Sequence, residues 1–147
     1  MAFANHHLAK NHKKISAEVF AYLYHRFDGI TWYIQYVLNM LYTSISDKPL
    51  LEEEDVRVAI EGILAQHRFA YQALLYQLTA KQKQVLTANA IEGKPSSLMS
   101  QEFLQKYHLG ASTVQGAVKT LLDRDFITQD EGVFQLCDRF LELSLRE

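Results

Sequence analysis

"STVQGAVKTLLDRDFITQDEGVFQLCD", residues Ser112 to Asp138, joins a helical segment to two short strands and decides the fold. Its first four residues match the capping box, in which a hydroxyl residue is followed three positions later by Gln, so a helix is predicted to start at Ser112. Its second half predicts strands over Phe126 to Gln129 and Val133 to Leu136, joined by the turn "DEG". The stretch therefore predicts a helix followed directly by a β-hairpin.

Two more helices are predicted before this stretch. "TAKQ", which begins at Thr79, also matches the capping box, and a shorter pattern with Phe103, Leu104 and Tyr107 follows the loop "EGKPSSLMS". A last helical segment, "RFLELSLRE", follows the hairpin. Three helices followed by a two-stranded hairpin is the layout of a winged helix-turn-helix, so residues 79–147 are predicted to form a winged-helix domain.

The residues before Thr79 predict a small helical bundle. Apolar residues recur at every fourth position from Ile15 to Phe27, Gly29 fits the left-handed end of that helix, and Thr31 fits the N-cap of the next. The helix from Trp32 is apolar nearly all round, which predicts that it is buried on more than one side, and the indole is expected either in the core or on an exposed contact surface. Four acidic residues after Pro49 mark the start of a further helix.

The predicted fold class is mainly α, a small helical bundle followed by a winged helix-turn-helix domain with a short β-hairpin. Residues 1–14 are predicted to be a polar arm, residues 15–78 the bundle and residues 79–147 the winged helix.

Charge and cysteine content limit the partners and the compartment. The 147 residues carry 15 Lys and Arg against 17 Asp and Glu, a formal net charge of -2, so the chain lacks the global basic field typical of nucleic-acid binding. The single cysteine, Cys137, excludes an internal disulfide framework and lies in an apolar stretch, which predicts a buried thiol and a cytoplasmic location. The longest apolar run is too short to span a membrane, so no membrane partner is predicted.

The familiar catalytic motifs are missing from the sequence. It contains no G-x-x-x-x-G-K-[ST] phosphate loop, no G-x-G-x-x-G, no H-E-x-x-H and no pair of cysteines. No nucleophile has an evident base beside it. We therefore predict no catalytic residue, no metal site and no cofactor in this chain, and we do not expect it to be an enzyme on its own.

The helix that starts the deciding stretch supplies the candidate binding residues, because a winged helix reads DNA from the N-terminal part of this element. The candidates for a nucleic-acid or protein partner are Ser112, Thr113, Gln115 and Lys119. From Thr79 to the end, about eight cationic residues stand against about nine acidic ones, and the turn "QDEG" adds two acids. This balance favours a protein partner and leaves DNA as the alternative.

The succession "KKISAEVFAYLYHRFDGITWYIQYVLNMLY", an acidic helix, "LTAKQKQVLTANAIEG" and the winged-helix stretch resembles the C-terminal part of prokaryotic AAA-family ATPases of the archaeal and Bacteroidetes type. The resemblance runs from about Ile15 to the end. Its most specific elements are the corner "GITWYIQ" and "LLDRDFI" before a strand that ends in "CDRF".

In that family, a nucleotide-binding domain with Walker motifs is followed by a helical lid and then by a winged helix. The resemblance implies that residues up to Leu78 form the lid and that the corner at Gly29, Thr31 and Trp32 lies near the nucleotide. Many relatives have Gly-x-Pro at this corner, whereas this chain has Thr31 in place of the proline. ATP and Mg²⁺ are implied only for a P-loop domain that these residues do not include.

Three hypotheses follow from the sequence, and the third, a hydrolase whose site is assembled by the fold, has no indication in the residues. In the first, the chain is a non-catalytic lid and winged-helix module that contacts an ATPase core domain, in cis or in trans, and acts through a protein or DNA partner. In the second, the chain is a stand-alone winged-helix transcriptional regulator that binds DNA, with N-terminal helices that form a homodimer.

Overall fold

A computed structural model describes Ala2, Ala4 and residues 14–43 and 48–147. The described helices are α1 (Ala17–Arg26), α2 (Thr31–Thr43), α3 (Glu53–Tyr76), α4 (Ala80–Glu92), α5 (Gln101–Lys106), α6 (Ala111–Asp123) and α7 (Arg139–Leu145). The described strands are β1 (Lys14–Ile15), β2 (Leu50–Leu51), β3 (Ile127–Asp130) and β4 (Val133–Leu136). The predicted class, mainly α with a short hairpin, is confirmed. The predicted polar arm lies largely outside the described residues.

The chain divides into two compact units, Met1–Gln66 and His67–Glu147. Helix α3 is one continuous helix of 24 residues that begins in the first unit and ends in the second. Its first turn carries Glu53, Glu54 and Asp55, as the acidic run predicts, because negative charge is favourable at a helix N-terminus. No helix within the described ranges has both the length and the hydropathy that a membrane span requires.

The corner between α1 and α2 depends on two left-handed residues. Asp28 has a φ of 51° and Gly29 a φ of 69°, and the Gly29 N–H donates to the Tyr24 carbonyl at 2.9 Å, which closes the end of α1. A Cβ added to Gly29 would lie 2.6 Å from the Tyr24 ring, so the position suits glycine. The left-handed residue next to the C-cap is Asp28, one position before the predicted glycine, and Thr31 is the first residue of α2.

Helix α2 buries one face rather than its whole circumference. The buried residues are Tyr33, Ile34, Val37, Leu38 and Leu41. Trp32 is 57% exposed, so of the two places expected for the indole the structure has the exposed one. Successive residues turn by about 100° around a helix, which places Trp32 about 160° away from Ile34 and therefore opposite the buried face.

The first unit also contains a parallel strand pair that the sequence did not predict. Lys14 pairs with Leu50 and Ile15 with Leu51, and the Lys14 N–H donates to the Pro49 carbonyl at 2.8 Å. Strands of two residues are too short to show the alternation by which strands are recognised in a sequence.

The second unit has the element order of a winged helix, and α4 starts as the sequence predicts. The Thr79 hydroxyl accepts from the Gln82 N–H at 3.2 Å, and the Gln82 side chain accepts from the Thr79 N–H at 3.0 Å. The predicted cap at Ser112 is wrong, because the N-cap of α6 is Gly110 and no side chain caps it. The chain turns at left-handed His108 and enters the helix earlier, so Ser112 already lies within the first turn.

Thr79, which caps a helix, and Ser112, which does not, give a matched pair of predictions about stability. Thr79→Ala should lower the free energy of unfolding by about 1 kcal/mol, because it removes one member of the capping box. Ser112→Ala should change it by less than about 0.5 kcal/mol, because this exposed hydroxyl caps no helix. Urea titrations followed by far-UV circular dichroism measure both. Equal losses in the two variants would contradict the assignment of the caps.

Candidate interaction surface of the winged helix

Helix α6 turns three of the four predicted binding residues outward together. Its apolar residues Val114, Ala117 and Leu121 are buried in the second unit. Ser112, Gln115 and Lys119 are exposed, and their spacing of three and four residues places them on one face of the helix. Thr113 lies about 100° around from Ser112 and is half-buried. The exposed face of α6 is therefore polar, with a single cationic side chain.

The hairpin presents acids at its tip. Strands β3 and β4 pair antiparallel from Ile127 opposite Leu136 to Asp130 opposite Val133. The two residues between them, Glu131 and Gly132, have φ of 49° and 78°, which is the left-handed pair of a two-residue hairpin turn. Asp130 and Glu131 are both exposed. The tip of this hairpin and the exposed face of α6 together form the candidate interaction surface.

A buried asparagine ties the hairpin to α4. The Asn89 side chain is fully buried, and its Nδ2 donates to the Phe134 carbonyl at 3.2 Å. The Phe134 N–H donates in turn to the Pro95 carbonyl at 2.8 Å. Asn89 Oδ1 accepts no hydrogen bond from the residues that the structure describes. Asn89 was not predicted from the sequence, although a polar residue between Ala88 and Ala90, in a helix predicted to pack, was the available indication.

Comparison with known proteins assigns the second unit to a family. A family model described as "Probable winged helix domain" matches residues 69–147. The chain belongs to this winged-helix family. No curated protein and no solved structure matches the chain.

The match begins within α3 and covers the second unit from its third residue to its end. In this winged helix, α4, α5 and α6 are the three helices and the hairpin of β3 and β4 is the wing.

Two of the three arginines after Thr79 are held by other side chains of the winged helix. Arg124 Nη2 donates to Gln77 Oε1 at 2.8 Å, and its guanidinium lies 5.6 Å from the centre of the Phe126 ring. Arg139 is only 9% exposed and forms an ion pair with Glu142 at 3.3 Å. The Arg139 guanidinium is shielded from a phosphate backbone, whereas the Arg124 guanidinium stays exposed while it is bonded to Gln77.

The third arginine and one lysine are also engaged. Arg146 Nε donates to the Ala90 carbonyl at 2.6 Å. Lys106 Nζ lies 2.6 Å from Glu92 Oε1, and the Tyr107 hydroxyl donates to the same oxygen. The hydrogen bond from Lys106 lowers the pKa of Glu92, and the same bond raises the pKa of Lys106, so both groups stay charged and offset each other at neutral pH.

The winged helix therefore offers little positive charge where a nucleic acid would lie. Lys119 is the one cation among the residues of α6, and that helix ends at Asp123. The wing adds Asp130 and Glu131. Phosphate neutralisation supplies most of the affinity of non-specific DNA binding, and this surface is poorly equipped for it.

Cys137 is exposed, so the predicted buried thiol is wrong. It directly follows the last residue of β4, which is buried, and the alternation along the strand turns the next side chain outward. Partial desolvation raises the pKa of the Cys137 thiol, and the carboxylates of Asp125 and Asp138 raise it further. A thiol with a raised pKa is mostly protonated at neutral pH and is a weak nucleophile.

Among the described residues, no group of three or more His, Cys, Asp or Glu is arranged to hold a metal ion.

The corner residues of the first unit lie together at the start of α2. Gly29 and Thr31 flank the turn into the helix, and the Trp32 ring packs edge-on against Tyr33 with a centroid distance of 4.9 Å. The Tyr36 ring lies 5.5 Å from the indole on the exposed side. Contact between this corner and a nucleotide stays a prediction.

Proposed function

We propose that the chain is a non-catalytic module whose winged helix binds a protein partner. The observation that carries the proposal is the charge of the candidate interaction surface, where Lys119 stands against Asp130 and Glu131 at the wing tip. This acidic surface repels a phosphate backbone. Its polar and acidic side chains can instead bind basic or hydrogen-bonding groups on the surface of a protein partner.

The resemblance to AAA-family ATPases indicates which class of protein the partner belongs to. On this proposal, the first unit is the lid of an ATPase, and the partner is a P-loop ATPase core domain, in cis or in trans. ATP and Mg²⁺ bind to the core domain, and the lid passes the nucleotide state to the winged helix. The order of the elements, a helical corner followed by a winged helix, supports this assignment.

A DNA-binding regulator is the second candidate, and one observation favours it. Ser112 and Gln115 lie exposed near the N-terminal end of α6, where a helix-turn-helix protein places the side chains that contact base edges. A glutamine there can form a bidentate pair with adenine.

One titration with two ligands tests the proposal. The labelled chain is titrated with mixed-sequence duplex DNA at about 50 and 200 mM salt, and in parallel with a P-loop ATPase domain of the resembled family from the same organism, with ATP and Mg²⁺. We expect saturable binding to the ATPase domain, and DNA binding with a dissociation constant no tighter than about 100 μM at the higher salt, the weak end of the non-specific range.

A wing variant and a helix variant serve as controls. Replacing Asp130 and Glu131 by Lys should strengthen DNA binding and make it more salt-dependent, which shows that the assay detects phosphate contacts. Tight, steeply salt-dependent DNA binding by the parent chain that is weakened in Gln115→Ala would support the regulator. Binding to neither ligand would contradict the ATPase module.

A further inference from the structure

A cleft of about 300 Å³ opens between helix α5 and the loop that precedes it. Its walls come from Pro95, Ser96 and Ser97 of the loop, from residues of α5, and from Glu92 at the end of α4. All of these residues belong to the second unit. The volume is at the lower end of the range found for ligand pockets in proteins, so the cleft has room for one long side chain or a small molecule.

The cleft contains one carboxylate that no group of the described chain neutralises. Lys106 Nζ lies 2.6 Å from Glu92 Oε1, so these two opposite charges offset each other. Glu102, the other acid in the wall, is exposed and forms no ion pair or hydrogen bond with any residue that the structure describes. Negative charge therefore remains in the cleft, which favours a cationic ligand over an anion.

Serine hydroxyls add neutral hydrogen-bond acceptors to the cleft. The Ser97 hydroxyl accepts from the Met99 N–H at 3.1 Å, and the Ser100 hydroxyl accepts from the Phe103 N–H at 3.2 Å. A serine oxygen has two lone pairs, so each of these hydroxyls can accept one more hydrogen bond. The Ser96 hydroxyl is exposed and bonds to none of the described residues. A ligand with several N–H donors can therefore bond to more than one hydroxyl.

Phe103 and Pro95 give the cleft apolar surface. The Phe103 ring is largely buried and packs against the ring of Tyr107 with a centroid distance of 4.9 Å. The Pro95 carbonyl accepts from the Phe134 N–H at 2.8 Å, which fixes the loop to the wing. The cleft is therefore formed before a ligand arrives, which lowers the entropic cost of binding. Apolar surface together with an unpaired carboxylate suits a side chain that has a methylene stem and a cationic head.

We propose that this cleft binds an arginine side chain of the protein partner, with the guanidinium paired to Glu102 and hydrogen-bonded to the serine hydroxyls. The methylene stem packs against Phe103 and Pro95. A guanidinium has five N–H donors in a fixed plane and can bind a carboxylate through two of them, whereas a lysine ammonium has only three donors. Because the arginine belongs to the partner protein, the site rests on the proposed function in this one respect.

Three capped tripeptides test the site without the ATPase domain. The isotope-labelled chain is titrated at low ionic strength with acetyl-Ala-Arg-Ala-amide and with the same peptide carrying lysine or citrulline, a neutral isostere of arginine, and two-dimensional NMR follows the backbone amides. The arginine peptide should shift the signals of residues 96–103 saturably, with a dissociation constant of about 1 to 10 mM. The citrulline peptide should bind at least about threefold more weakly, as expected when an exposed ion pair is lost, and the lysine peptide should lie between the two.

Glu102→Gln and Asp123→Asn are matched variants, because each removes an exposed carboxylate that has no ion-pair partner in the described part of the chain. Glu102→Gln should weaken binding of the arginine peptide by at least about threefold and remove its preference over the citrulline peptide. Asp123→Asn, at the end of α6, should change neither result.

Four outcomes would overturn the site. They are an arginine peptide that shifts no signal, equal binding of the arginine peptide and either of the others, unchanged binding in Glu102→Gln, and binding of inorganic phosphate to the same residues. Because these titrations do not include the ATPase domain, their failure leaves the module proposed above intact. Failure of the ATPase domain to bind likewise does not affect the result with the peptides.

Discussion

Phe27→Ala should lower the free energy of unfolding of the first unit by about 3 to 5 kcal/mol, the usual loss when a buried phenylalanine is truncated. Phe27 is fully buried, and its ring stacks on that of Tyr33 with a centroid distance of 5.4 Å. Truncation removes this stack and leaves a cavity beside the corner between α1 and α2. Trp32 is the single tryptophan and packs edge-on against Tyr33, so its fluorescence during a urea titration reports on this unit.

Trp32→Ala is the matched control, since it removes a larger aromatic side chain from the same corner. The indole is 57% exposed, so the loss should stay below about 1 kcal/mol, measured by far-UV circular dichroism. Equal losses in the two variants would show that Trp32 is buried, as its sequence context suggests. A Phe27→Ala variant as stable as the parent would contradict the core described for this unit.

The exposure of Trp32 shows which features of α2 can be predicted from the sequence and which cannot. The apolar run predicts a helix, and Ile34, Val37 and Leu41 share the face that the structure buries. Hydropathy cannot tell which additional aromatic residues join that face, because an aromatic side chain on the opposite side adds equally to the apolar count. The position of Trp32 around the helix relative to Ile34 decides its exposure, and that angle is available from the sequence once the buried face is known.

The two capping boxes show a different limit. The motifs at Thr79 and Ser112 have the same spacing, but only the first caps a helix. The difference lies in the preceding backbone, where His108 is left-handed and Gly110 has the extended conformation of an N-cap. A positive φ is uncommon for any residue other than glycine, even for histidine, which adopts it more often than most, so the sequence gives little warning of this early helix start.

The candidate interaction surface was predictable in part. The helical period places Ser112, Gln115 and Lys119 on one face, and the acidic wing is evident in the sequence. Two of the bonds that hold the arginines were not predictable, because their acceptors are distant along the chain. Arg124 bonds to Gln77, 47 residues away, and Arg146 bonds to Ala90, 56 residues away. These bonds to neutral groups fix where the two guanidinium groups lie, which a count of cations from the sequence does not show.

Glu142→Ala should be the most damaging single change in the winged helix outside its apolar core, with a loss of about 3 to 5 kcal/mol in the free energy of unfolding. Glu142 is 6% exposed, and its carboxylate lies between Arg139, at 3.3 Å, and Arg146, at 3.6 Å. Its removal leaves the buried guanidinium of Arg139 without this counter-charge, and the desolvation of that group is then no longer offset. Urea titration followed by far-UV circular dichroism measures the loss.

Glu92→Ala is the control that shows whether the burial of an ion pair or its short N–O distance determines its contribution to stability. Glu92 lies closer to its cation, 2.6 Å from Lys106, but both side chains reach solvent, and exposed ion pairs contribute little to stability. The melting temperature at pH 7 should therefore change far less in Glu92→Ala than in Glu142→Ala.

The pKa of Glu92 is lowered in the folded state, so any stability from this pair is present above the ordinary carboxyl pKa and is lost as the pH falls through the lowered value.

Glu142→Gln separates the charge of the buried side chain from its packing. The amide keeps the shape of the side chain and removes the negative charge that Arg139 and Arg146 face. A loss nearly as large as that of Glu142→Ala is expected, because the negative charge of Glu142 beside the buried guanidinium of Arg139 is removed in both variants. A Gln variant as stable as the parent would assign the stabilisation to packing instead.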